Sequence, residues 1–149
     1  MLQPGLDDPA AQPSAARFFA HFLVLLACWT LIIKYLLPVA FALVEGVPLA
    51  THVMWDFWWV AHLYLAWALV RRPPYLFATG ALIAAVEIVI VVTKFALFLP
   101  DPDWTTWTMN WFVNKIFVLG CFSLMLPWLL MNRGILAQPL NVDGGKWMS

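Results

Sequence analysis

Glu87 stands near the middle of an apolar run, Tyr75 to Leu99, bounded by Pro73-Pro74 and Pro100. The run is long enough to cross a bilayer, where a carboxylate is costly unless it is paired, hydrogen-bonded or engaged with an ion or substrate. Lys34, Asp56 and Lys115 are similarly embedded in three other apolar runs. Counted at ~1.5 Å per residue from the basic end of each run, Glu87 lies roughly 20 Å up, Asp56 roughly 22 Å, Lys34 roughly 25 Å and Lys115 roughly 27 Å. Two acids and two bases can thus share one intramembrane layer, one from each run, facing a common interior. Such a layer suits a proton or cation site or a polar ligand pocket. It equally suits a structural staple, with the lysines reaching toward headgroups and the acids hydrogen-bonded. Lys94, two turns beyond Glu87 on the same helical face, is placed to snorkel.

The histidines raise metal and haem chemistry. Read as one helix, the second run puts His52 and Asp56 on one face, with Trp55, Trp59 and His62 in a neighbouring stripe. A copper or zinc ion needs three or four converging ligands, and His62 falls about 240° round such a helix from Asp56. No metal is expected from His52, Asp56 and His62. The expectation is instead a His52–Asp56 hydrogen bond and a buried His62 satisfied by a neighbour. His21 and His62 lie on adjacent antiparallel runs, but their heights differ by roughly 7 Å, awkward for two axial haem ligands. No cofactor is predicted, although contact with haem, a pigment or a quinone stays open. In the last run, Asn110 and Asn114 share a face with Trp107 and Cys121, and Trp111 and Lys115 share the next. Interhelical hydrogen bonds are the first expectation for these asparagines. With His62, Lys94, Trp111 and the buried acids, they could also line a pocket for a cationic, sterol-like or quinone-like molecule.

The elements that must position these groups follow from composition. The 149 residues are 64% hydrophobic, 11% charged and include ten Trp, far from the roughly 25% charge of soluble domains. Apolar runs and breakers give spans at about 17–37, 49–70, 75–99 and 107–131. The predicted fold is an all-α integral membrane protein, a four-transmembrane-helix up-and-down bundle over 17–131, with polar tails at 1–16 and 132–149. The first run continues past Pro38 to Glu45, which predicts a bend there. Gly80 and Ala84 share the Glu87 face and would let another helix approach closely. Cys28 and Cys121 read as small packing residues inside helices. Arg17, Arg71-Arg72, Arg133 and Lys146 all fall on one side, which predicts cytoplasmic N and C termini. Trp104, Trp107 and Trp111 mark the other interface. The acidic start, with Asp7 and Asp8, is unlike a secretory signal. No basic run supports nucleic-acid binding.

Two short stretches resemble known families. Ala85-Val86-Glu87-Ile88 with Thr93-Lys94 looks similar to the first helix of small multidrug-resistance transporters, although here it falls in the third span. Val44-Glu45-Gly46 and Ala68 to Pro74 look faintly similar to the emopamil-binding family, whose motif has a histidine where this chain has Phe41. Neither activity is carried over. The expected function is that of an accessory subunit or assembly factor of a larger, energy-transducing membrane complex in a bacterial inner membrane, acting by helix packing with other subunits or copies of itself. The alternatives are a proton- or cation-coupled transporter using Glu87 and Asp56, and a membrane enzyme or binder of a lipid-like, sterol-like or quinone-like molecule.

Overall fold

The computed structural model describes residues 14–53, 55 and 57–136. Asp56 and the outer parts of the two tails, expected above as a layer residue and polar termini, lie outside the described residues. Every regular element among the described residues is helical: α1 (Ser14–Leu31), a π-helical turn (Ile32–Leu36), α2 (Leu37–Glu45), α3 (Trp59–Arg71), α4 (Leu76–Phe98), α5 (Thr106–Met131) and a short α6 (Arg133–Leu136). Three helical stretches are long and apolar enough to cross a membrane, namely Ser14–Glu45, Leu76–Phe98 and Thr106–Met131. Lipid offers the backbone no hydrogen-bond partners, so such runs fold as helices that satisfy their own amides.

The first stretch is broken where proline requires it. Pro38 has no N–H to give to the carbonyl of Lys34, one turn back. The chain responds with a widened turn, in which the N–H of Leu37 bonds to the carbonyl of Ile32 five residues earlier. The irregularity that Pro38 imposes thus takes the form of a widened turn over Ile32–Leu36, within which Lys34 is buried. α2 ends at Gly46, whose φ of 69° and ψ of 25° put it in the left-handed region that closes helices.

The second span differs from expectation. The helix read over 49–70 begins only at Trp59, and the described residues among 47–58 carry no regular helix. At 13 residues, α3 covers about 20 Å, too little for the ~30 Å hydrocarbon core. Irregular chain runs alongside α2 instead. Trp55 meets the Tyr35 ring, with centroids 6.3 Å apart, and Tyr35 lies about 15 Å of helix below Glu45. His52 correspondingly pairs with Glu45 across the Gly46 turn, Nε2 to Oε2 at 2.7 Å; its expected partner Asp56 lies outside the described residues.

α1 packs mainly on α3 and α4 mainly on α5, while α1–α5 and α3–α4 contacts close the ring. The inward face of α1 is Ala16, Phe19, Ala20, Leu23, Leu26, Ala27 and Thr30, a three-and-four spacing that makes one helical stripe. His62, Leu65, Ala66 and Leu69 repeat that spacing on α3. At the arginine end the interior is closely filled: a Cβ on Gly80 would lie 3.3 Å from a Leu129 methyl and 3.4 Å from a Leu65 methyl. Arg72 ends α3 with φ 49°, a left-handed conformation costing a side-chain-bearing residue about 1 kcal/mol. α5 starts on a reciprocal cap, in which Thr105 Oγ1 accepts from the Thr108 N–H at 3.2 Å and Thr108 Oγ1 accepts from the Thr105 N–H at 2.7 Å. Beside it Phe95, Phe98, Trp104, Trp111 and Phe112 pack ring against ring.

Candidate functional site

Glu87 is 11 residues from either end of α4, so it sits about 16 Å from each. It is fully buried. Its Oε1 lies 3.4 Å from His62 Nε2 and 4.0 Å from Lys115 Nζ. One carboxylate oxygen therefore gathers a group from α3 and one from α5. The other oxygen, Oε2, has no hydrogen-bond partner, and neither has His62 Nδ1. A carboxylate has about four acceptor positions, so a buried one satisfied on a single oxygen retains capacity for a donor.

That donor has a place to come from. Lys34, Glu87, Lys94 and Lys115 line a partly open cleft of about 620 Å³ with Trp55, Phe57, Trp58, Ile90 and Trp111. The volume is in the range of small-molecule sites, and the lining mixes aromatic walls with a few convergent polar groups. Part of the wall is the irregular stretch before α3. Non-helical backbone is tolerated at membrane depth only where protein buries it or where it lines a wet cavity, and here it borders the cleft.

Three of the four expected layer residues thus meet: Lys34, Glu87 and Lys115 share the cleft, while Asp56 lies outside the described residues. Lys94 and Trp111 join them. His62 is buried and has the kind of neighbour expected for it, Glu87, whose Oε1 lies 3.4 Å from its Nε2; it is outside the cleft lining and packs on the Phe122 ring at 5.4 Å. Its place on the buried stripe of α3 with Leu65, Ala66 and Leu69 is what turns it inward. Asn110 is half-buried outside the cleft lining. Asn114 is buried, but its Nδ2 has no partner, so the amide nitrogen makes no interhelical clamp. Among the described residues no three metal-type ligands converge. His21 is exposed, with Nδ1 2.6 Å from the Arg17 carbonyl, and is not set up to share an iron with buried His62. Cys28 faces outward and Cys121 inward, both as free thiols.

Toward the arginine end, the described interior between His62 and Arg72 is apolar: Leu23, Leu65, Leu69, Leu76, Phe122, Met125 and Leu129, all essentially inaccessible. No protein-family model, curated protein or solved structure matches this chain. The chemistry of the cleft is what bears on function.

Proposed function

We propose that this chain is a membrane-embedded binding protein, or a membrane enzyme, for a small lipid-soluble molecule with a polar head, the lipid-like, sterol-like or quinone-like class. The observation that carries this reading is the unpartnered, fully buried Oε2 of Glu87 at the wall of an aromatic cleft of about 620 Å³. A ligand hydroxyl or N–H donates to Glu87, the lysine ammonium groups face ligand carbonyl or acidic oxygens, and the tryptophans cover its apolar body. In this reading α3 and the chain before it together make the second of four crossings. Arg17, Arg71, Arg72 and Arg133 face the cytoplasm with both termini, and the membrane is a bacterial inner one. The apolar packing beneath the cleft argues against a continuous pathway through one copy, so the proton- or cation-coupled transporter is the weaker alternative.

The test is purification from the native membrane in mild detergent, followed by mass spectrometry of extracted small molecules. The reading expects a stoichiometric lipid-soluble compound that is lost from Glu87→Gln while the helical content is unchanged. An empty Glu87 protein, or a compound retained equally by the variant, overturns it. A second reading, the accessory subunit or assembly factor, is favoured by α2, where Leu43 and Val44 are 66% and 86% exposed on a helix with few neighbours. It expects a companion subunit in the same preparation and loss of the chain when that companion is deleted.

A further inference from the structure

Arg72 combines three unusual features at the end of the bundle opposite the cleft mouth. Its backbone lies in the left-handed region, φ 49°, where glycine or asparagine is the common occupant. Its side chain is nevertheless carried into a buried position, 8% exposed. There both Nε and Nη2 lack a hydrogen-bond partner.

Those two atoms are not an arbitrary pair. Nε–H and Nη2–H point in parallel from one edge of the guanidinium, the edge that forks onto two oxygens of a phosphate or carboxylate. A buried, permanently charged group with two unfilled donors is costly, so an acceptor is called for. The described chain does not bring one near. Glu45, Asp101 and Asp103 belong to the opposite end of the bundle, and Glu87 is engaged at its centre. Around Arg72 the charges are of its own sign: Arg71 beside it, Arg17 in the first turn of α1, and Arg133, whose guanidinium stacks over Phe77 at 5.1 Å. At the edge of the hydrocarbon, the oxyanion at highest local concentration is the phosphate of lipid headgroups, and basic recesses between membrane helices bind them.

We infer that Arg72 anchors a phosphate site, its Nε/Nη2 edge taking two oxygens of an anionic phospholipid headgroup at the arginine end of the bundle. Arg71 and Arg133 add charge without making the fork. The site is independent of the Glu87 cleft, and the two stand or fall separately.

The full-length chain, delipidated in mild detergent, is compared in micelles carrying phosphatidylglycerol, micelles carrying a phosphate-free glycolipid, and buffer with inorganic phosphate. Melting temperature and the lipid retained in native mass spectrometry are read in each. R72G is the key variant, because glycine suits the left-handed backbone and keeps the helix end while deleting the fork. Phosphatidylglycerol is expected to raise the melting temperature by several degrees and to leave one lipid bound. R72G should weaken that binding at least tenfold, R72K should restore only part of it, and R71Q should retain it. The glycolipid should do nothing. An equal shift from inorganic phosphate alone supports the same oxyanion fork with free phosphate as its source. Binding unchanged in R72G, or lost equally in R71Q, overturns the inference. So does a gain in phosphatidylglycerol binding on neutralising Asp7, Asp8 and Asp143 together, which would mean that the tails supply the acceptor in the native chain.

Discussion

Toward the arginine end the bundle interior is Leu23, Leu65, Leu69, Leu76, Met125 and Leu129 around Gly80, whereas toward the Glu45 end it holds Lys34, Glu87, Lys94 and Lys115 beside tryptophans and an irregular strand of chain. The first region is close-packed, and its helices approach through a glycine. The second is held open, its backbone partly released from helix, with His62 and Lys115 gathered on one Glu87 oxygen and Lys34 and Lys94 lining the same cleft. Lipid is as apolar as leucine, so packing in the first region gains contact rather than escape from water. The second region would be a liability in lipid if its charges had no partners. Stability therefore concentrates in the first region and specificity in the second, with His62 and Phe122 at their seam.

The sharpest way to break that division is Glu87→Leu. It strips His62 Nε2 and Lys115 Nζ of their shared acceptor oxygen, and setting buried donors against a methyl group costs about 3 kcal/mol. Reversible unfolding in mixed micelles should show that loss, while Glu87→Gln, which keeps an acceptor oxygen, loses far less. Equal effects from Leu and Gln would mean that the carboxylate is not a hub. Phe122→Ala, at the seam, should cost roughly 2 kcal/mol, less than in a soluble core because the ring exchanges protein for lipid instead of water. Gly80→Val is expected to cost about 1 kcal/mol by driving methyl groups onto Leu129 and Leu65. In a thiol-crosslinking assay, that variant should also loosen the α3–α4–α5 contact. Lys94→Gln should shift stability by less than about 0.5 kcal/mol while weakening retention of any cleft ligand. Stability losses at Lys94 as large as those at Phe122 would erase the distinction between the regions.

Much of the closely packed region can be read from sequence. Proline pairs and hydropathy place α4 and α5 to within a few residues, and Gly80 and Ala84 announce a close approach. The depth of Lys34, Glu87 and Lys115 is also readable, because rise per residue is fixed once a helix is granted. What escapes is the stretch before α3. Leu49, Val53, Trp55, Phe57 and Trp58 are apolar enough to count as a span, yet apolarity measures partition into lipid, not backbone conformation. Pro48, β-branched Thr51 and Val53 and the aromatic crowd from Trp55 all disfavour a helix. For the same reason the sequence predicts a neighbour for a buried His62 without naming Glu87, whose place beside it depends on α3 starting at Trp59.

The widened turn at Ile32–Leu36 has a consequence of another kind. A π turn holds one residue more than an α-helix would need, so everything beyond it is rotated by about 100° relative to an unbroken rod. The stripe of α1 that faces α3 is therefore not continued by α2, and the two lengths behave like a key whose bit has been turned partway along the shaft. Phe41 meets Trp107 of α5 at 5.0 Å in that turned setting. Removing a single residue from the turn would leave a smoother helix and a misaligned lock.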